Sequence, residues 1–392
     1  MAVALVNGRV MGDDGLIEGR CVLLEAGRIV DVVEESDPRC RTAQRHDLGG
    51  RLLLPGFIDS QVNGGGGVLF NDAPTVETIR AIGQAHRRFG TTGFLPTLIS
   101  ADLDIVARAI AAVQGAIEAG VPGVLGIHIE GPFLNVARKG VHDPAKLREL
   151  DTSAVGLLTS LRGGKTLVTL APEMTTPEII QKLVKAGVVV SAGHTNATYA
   201  EISTALRHGL TGFTHLFNAM SQLTGREPGV VGAALDDRGS WCGIIVDGEH
   251  TDPVVLRIAL RCKPHNRFML VTDAMSGVGT NSTSFNLQGR TITVSGYVCI
   301  DEDGRLAGSN IDMASCVRNA VKLLHLPLPE AVRMASRHPA EFLGLGHVIG
   351  RIRAGYRANL VLADDELKVV ETWIDGRSSA AGAAGAQSHS GD

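Results

Sequence analysis

Eight short apolar runs, each followed by enough chain for a helix, constrain this sequence more than any other feature. They begin near Gly56, Gly93, Val124, Thr166, Val188, Gly212, Gly243 and Arg267. Helical crossovers between successive runs imply parallel strands, and eight such units favour closure into a (β/α)8 barrel. The stretch from Thr75 to Phe89 illustrates the helical half of a unit. Val76, Ile79, Ile82 and Phe89 share one face, Thr75 can cap the start and Gly90 can end it. A doubly wound open sheet is the alternative. No Gly-x-Gly-x-x-Gly turn opens a helix after a strand, which weakens a dinucleotide-binding version of it.

How the runs end points to chemistry. Glu130, His194 and His215 each close an apolar run, and Asp273 closes another. Two imidazoles and a carboxylate can hold a divalent metal and leave a position for water. A further carboxylate can move that water's protons. Strand ends are where such a barrel places its active site, so the pattern predicts a metal-dependent hydrolase.

The 392 residues suffice for a barrel of about 250 plus a smaller unit. Residues 1–54 carry short β-rich stretches at Ala2–Val6, Cys21–Glu25, Arg28–Val33 and Arg51–Leu54, and 350–377 read alike. The two ends are expected to pair as one small discontinuous β-sandwich, with the barrel spanning 55–349. Residues 276–310 read as hairpins inserted after the eighth strand. Helices are expected near 312–325 and 329–343. The Ala/Gly/Ser tail 378–392 has little to bury and is expected to be disordered.

The net charge of -4 gives no argument for nucleic-acid binding. None of the six cysteines sits in a Cys-x-x-Cys pair, the N-terminus lacks a basic region ahead of an apolar core, and no run of about 18 apolar residues exists. A cytoplasmic protein with reduced thiols is the expectation.

The first run ends Asp59-Ser60-Gln61-Val62-Asn63. Together with the other run ends this resembles the amidohydrolase superfamily, whose first strand often carries a His-x-His metal pair. Here Gln61-x-Asn63 stands in its place. Amides are poor metal ligands but good partners for a metal's water, which argues for one metal rather than two. Glu173 ends the fourth run where larger sites of the superfamily place a bridging lysine, so a lysine-bridged pair is excluded and a polar supporting role is expected.

Further motifs narrow the match. They are His128-Ile129-Glu130-Gly131-Pro132-Phe133, Gly140-Val141-His142, Ala171-Pro172-Glu173, Gly193-His194-Thr195-Asn196, Thr214-His215-Leu216-Phe217-Asn218-Ala219-Met220, Gly225-Arg226-Glu227-Pro228-Gly229, Asp247-Gly248-Glu249-His250, Thr272-Asp273-Ala274 and Leu306-Ala307-Gly308-Ser309. In this order, from about residue 50 to 365, they resemble the N-acetylglucosamine-6-phosphate deacetylase family. One departure is Gly65, where some relatives have cysteine.

The resemblance implies one divalent ion per subunit on Glu130, His194 and His215, with zinc expected and iron, cobalt, manganese or cadmium as alternatives. It implies Asp273 as general base and acid, His142 at the oxyanion, and Gln61 and Asn63 orienting the metal's water. Substrate contacts fall to Val141, His142, Asn218, Ala219, Arg226, His250, Leu306, Ala307 and Gly308. A homodimer is implied, with Arg226 and His250 reaching the neighbouring active site. Read alone, Arg226 is an ordinary solvated charge and His142 a solvated loop histidine. His128, two residues before Glu130, is expected to support rather than ligate. The competing readings are another amidohydrolase, acting on a different N-acyl sugar, N-acyl amino acid or cyclic amide, and a non-catalytic relative that binds a sugar phosphate.

Overall fold

The computed structural model describes residues 2–380. Eight strands form the central sheet: β1 (Phe57–Val62), β2 (Thr91–Ile99), β3 (Gly126–Glu130), β4 (Lys165–Leu170), β5 (Val189–Ala192), β6 (Gly212–Phe213), β7 (Trp241–Ile244) and β8 (Phe268–Leu270). Each starts within two residues of the expected position and pairs in parallel with the next. The ring closes just past β8. There the Asp273 amide donates to the Gln61 carbonyl at 3.0 Å and the Asn63 amide to the Ala274 carbonyl at 2.9 Å. The structure is therefore a TIM-like barrel rather than an open sheet.

The crossover helices bury the faces their periodicity dictates. Val76–Arg87 buries Ile79 and Ile82, and the Thr75 hydroxyl accepts from the Thr78 amide at 3.2 Å. Gly90, at φ +88°, turns the chain into β2 through a conformation that suits glycine. One large apolar cluster lies between these helices and the strands. A second, of Ile58, Leu95, Leu125, Leu167, Trp241, Met269 and Phe342 among others, closes the end of the barrel where the strands begin.

Both chain ends build two further sheets. One orders Arg28–Glu34, Arg20–Glu25, Val3–Val6 and Gln44–Asp47. The other orders Arg377–Ser378, Val369–Ile374, Leu360–Ala363, Leu52–Pro55, Arg9–Met11 and Leu16–Ile17. Leu5, Val22, Ile29, Leu53, Leu360 and Trp373 form an apolar cluster shared by strands of the two sheets.

Residues 284–309 form a four-stranded antiparallel sheet over the barrel mouth, made of Ser284–Leu287, Arg290–Ser295, Val298–Ile300 and Leu306–Ser309. The helix expected over 329–343 is two, Leu328–Ala335 and Arg337–Phe342, broken at Ser336. Pro339 causes the break, because its ring has no N–H and would collide with the Ala335 carbonyl in a continuous helix. Ser378, expected to begin a disordered tail, instead pairs with Trp373. The rest of that tail, 381–392, lies outside the described residues.

Candidate active site

The carboxyl-terminal strand ends converge on a cleft of about 350 Å³. Glu130 is the last residue of β3, while His194 and His215 stand two residues beyond β5 and β6. All three are buried. His215 Nε2 lies 3.0 Å from Glu130 Oε1, His194 Nε2 3.2 Å from the same oxygen, and the two Nε2 atoms are 3.1 Å apart. With bonds of about 2.0–2.1 Å a tetrahedral ion has ligands about 3.3 Å apart, so the donor set fits a divalent ion such as zinc.

The His194 tautomer agrees with that fit. His194 Nδ1 is 2.9 Å from the Arg138 carbonyl, which only accepts, so Nδ1 carries the proton and Nε2 offers its lone pair inward. Burial alone would raise the Glu130 carboxyl, but the close imidazoles of His194 and His215 outweigh it and hold the group well below the usual carboxylate range. Burial would lower His215. The Glu130 carboxylate reverses that and raises it.

Asp273 follows β8 across the cleft. Burial, then the Glu130 charge, push its carboxyl up to about 6 against the opposing pull of His215, His250 and Asn63. Asn63 Nδ2 donates to Asp273 Oδ1 at 2.6 Å, and Gln61 Nε2 donates to Glu130 Oε2 at 3.1 Å. The two amides expected to order a metal's water thus hold the two carboxylates. Asn63 Oδ1 remains buried without a protein partner.

Strain concentrates here. Of eleven non-glycine residues with positive φ among the described residues, His194 (48°), His215 (33°), Phe217 (79°), Ala219 (49°) and Asp273 (52°) surround this cleft. Such conformations cost of order 1 kcal/mol or more each and persist only where the surroundings enforce them. Glu173 supplies part of that enforcement. It accepts from the Thr195 hydroxyl and the Asn196 amide at 2.6 Å and from Asn135 Nδ2 at 2.9 Å, tying together the loops after β3 and β5. His128 lies deeper, between the Thr97 and Thr169 hydroxyls at 3.1 and 2.8 Å.

Val141, His142, Asn218, Ala219, His250, Leu306 and Gly308 line the cleft. Ala307 does not. Strand alternation turns it away, fully buried, into the cluster of Met275, Leu287, Ile292 and Cys299. His250, expected at a neighbouring subunit's site, lines this chain's own cleft. Its Nδ1 donates to Asp247 Oδ2 at 2.5 Å, which leaves Nε2 for the cleft. Arg226 is exposed and does not line the cleft. The Asn218 backbone amide, expected to bind substrate, donates to the His215 carbonyl at 2.9 Å.

Sequence reasoning passed over Ser100, Arg138, Met275 and Arg305. Arg138, Met275 and Arg305 line the cleft, and Ser100 bonds His142. Ser100 directly follows an apolar run, the same signal that marks Glu130. His142 is buried beside His194, with ring centroids 4.4 Å apart. Burial, then the neighbouring His194 imidazole, hold it well below the ordinary histidine range.

An eight-stranded parallel barrel with a buried His-His-Glu triad and a facing carboxylate at its strand ends defines the class of TIM-like hydrolases built to take a metal. The family model described as "Amidohydrolase family" matches residues 52–378, and the chain belongs to that family. An N-acetylgalactosamine-6-phosphate deacetylase of Shewanella sp. (strain ANA-3) is 48% identical over 324 residues, 83% of this chain and 82% of the relative. The crystal structure of N-acetylglucosamine-6-phosphate deacetylase from Pasteurella multocida superposes with a TM-score of 0.93 at 35% identity, covering 97% of this chain and 100% of that one. A mutant N-acetyl-D-glucosamine-6-phosphate deacetylase of Mycobacterium smegmatis, in complex with N-acetyl-D-glucosamine-6-phosphate, superposes with a TM-score of 0.87 at 32% identity, covering 96% and 98%.

Proposed function

We propose that this chain hydrolyses the acetamide of N-acetyl-D-glucosamine 6-phosphate, giving D-glucosamine 6-phosphate and acetate. The observation that carries the reading is the convergence of Glu130, His194 and His215 opposite Asp273 in one cleft. A divalent ion on that triad would lower the pKa of water and polarise the acetamide carbonyl. Asp273, in hydrogen-bond contact with Asn63, takes the proton of the attacking water and passes it to the departing amine. His142 donates toward the oxygen that becomes negative. Gln61 and Asn63 keep both carboxylates in register with the substrate. Leu306 and Gly308 border the sugar.

The phosphate takes His250 Nε2 and the loop around Asn218 and Ala219. Arg226 joins from a second copy of the chain. Exposed Leu223, Val254, Val255 and Ile258, from the Arg226 loop and the helix beyond His250, support an apolar contact between copies. Zinc is the first choice of metal, with iron, cobalt, manganese or cadmium as substitutes. Six free thiols support a reducing cytoplasm, and no helix among the described residues is long and apolar enough to cross a membrane.

A second reading of the sugar has one specific support, the name of the 48% identical relative. N-acetyl-D-galactosamine 6-phosphate differs only at C4. Acetate release from both hexosamine phosphates and from N-acetylglucosamine, with metal-loaded enzyme, decides among them. Turnover of the gluco phosphate well above the others carries the first reading. Preference for the galacto epimer replaces it, and equal turnover of the unphosphorylated sugar refutes a phosphate site. Arg226→Ala is expected to lower kcat/KM about tenfold or more on the phosphorylated sugar only. Equal losses with and without phosphate would remove Arg226 from the phosphate site.

A further inference from the structure

We propose that Ser100 is a positioning residue that fixes His142 with its proton on Nε2, aimed into the cleft. Ser100 immediately follows β2. Its backbone amide and its hydroxyl both meet His142 Nδ1, at 3.3 and 2.7 Å. A backbone N–H can only donate, so Nδ1 accepts and bears no proton. The single imidazole proton then sits on Nε2, on the side of a ring that lines the cleft beside His194. A free imidazole offers both tautomers, so the choice here comes from Ser100.

The surroundings hold Ser100 in place. Ser100 is 1% exposed and His142 2%. A Cβ on Gly131 would lie 2.3 Å from Ser100 Oγ, and Gly131 has φ +86°. The residue after Glu130 must therefore be glycine for the serine hydroxyl to fit. On the other side, Gln288 Nε2, from the turn of the inserted sheet, donates to the Ser100 carbonyl at 3.1 Å. The geometry makes His142 a fixed N–H donor. In the opposite tautomer its cleft-facing atom would be a lone pair, which repels a carbonyl oxygen gaining negative charge. What the donor acts on rests on the deacetylase reading; the tautomer itself does not.

The test is a double-mutant cycle on metal-loaded enzyme, joined to 15N spectra of the histidine rings. Ser100→Ala is expected to lower kcat about tenfold with KM within about twofold, the loss of one hydrogen bond. On a His142→Ala background the same change should cost nothing further. An equal loss on both backgrounds makes Ser100 a general structural residue and overturns the proposal. In the spectra, the signals that vanish in His142→Ala should show a protonated Nε2 and a bare Nδ1 in the parent, and a mixture in Ser100→Ala. A proton on Nδ1 in the parent also overturns it. Ser100→Cys keeps the volume and weakens the donor, so it carries the cycle if the alanine variant does not fold. Should the parent release no acetate from any hexosamine phosphate, the substrate reading fails, and the ring spectra alone decide Ser100.

Discussion

The two ends of the barrel are made from the same strands and have opposite characters. On β1, Ile58 packs into the apolar plug at the amino-terminal end, and three residues on Gln61 donates to Glu130. On β8, Met269 belongs to that plug, and Asp273 beyond it faces the cleft. At about 3.3 Å per residue the change takes some 10–13 Å. The plug is dominated by Leu, Ile, Met, Phe and Trp. The mouth has buried histidines, carboxylates and amides, and much of the chain's positive-φ strain. Stability is invested at one end, so the other can hold groups that cost stability.

The sharpest way to break this comparison is Asp273→Asn in the metal-loaded enzyme. We expect kcat to fall by about 10²–10⁴ with a melting temperature unchanged or higher. A variant that loses stability along with activity would mean that the mouth also holds the fold together. The converse is Phe342→Ala in the plug, expected to cost about 3–5 kcal/mol in denaturant titration while kcat/KM per folded molecule stays the same.

A third test uses pH on the metal-free chain. The Asp273 carboxyl is raised from 3.8 in the unfolded chain to about 6 in the fold. A raised carboxyl contributes stability that is complete below about pH 4 and lost as pH rises through 6. Replacing it with Asn should therefore gain stability relative to the parent across that window, by at most about 3 kcal/mol. Paired melts at pH 4 and pH 7 would show it, and a constant difference would contradict it. Smallest of all is Ile58→Val, expected to cost about 0.5–1.5 kcal/mol with no kinetic change.

Much of this division was legible in the sequence. Short apolar runs, each followed by room for a helix, located all eight barrel strands, and polar residues closing apolar runs located Glu130, His194, His215 and Asp273. What escaped depended on contacts between distant segments. Arg9–Met11 and Leu16–Ile17 are too short, and Gln44–Asp47 too polar, to stand out, and they exist because neighbouring strands offer them hydrogen bonds. Ala307 was assigned to the cleft as part of the Leu306-Ala307-Gly308 motif, although one residue along a strand reverses the side-chain direction. Placing His250 in the chain's own cleft required the loop that Asp247 folds, since Asp247 accepts from the Glu249 and His250 amides and from the His250 ring. Ser100 carried the right signal, but serine is too common after a strand for position alone to mark it.

The pairing of Leu52–Pro55 with Leu360–Ala363 has a consequence in time. A ribosome adding 5–20 residues per second needs roughly 15–60 s to make the second strand after the first. Until then the nascent chain carries an apolar strand with an open edge. Such an edge is a template for pairing with other chains, so early exposure to holding chaperones should matter more for yield than the stability of the finished molecule. A chain that stops short of residue 360 would keep that edge permanently.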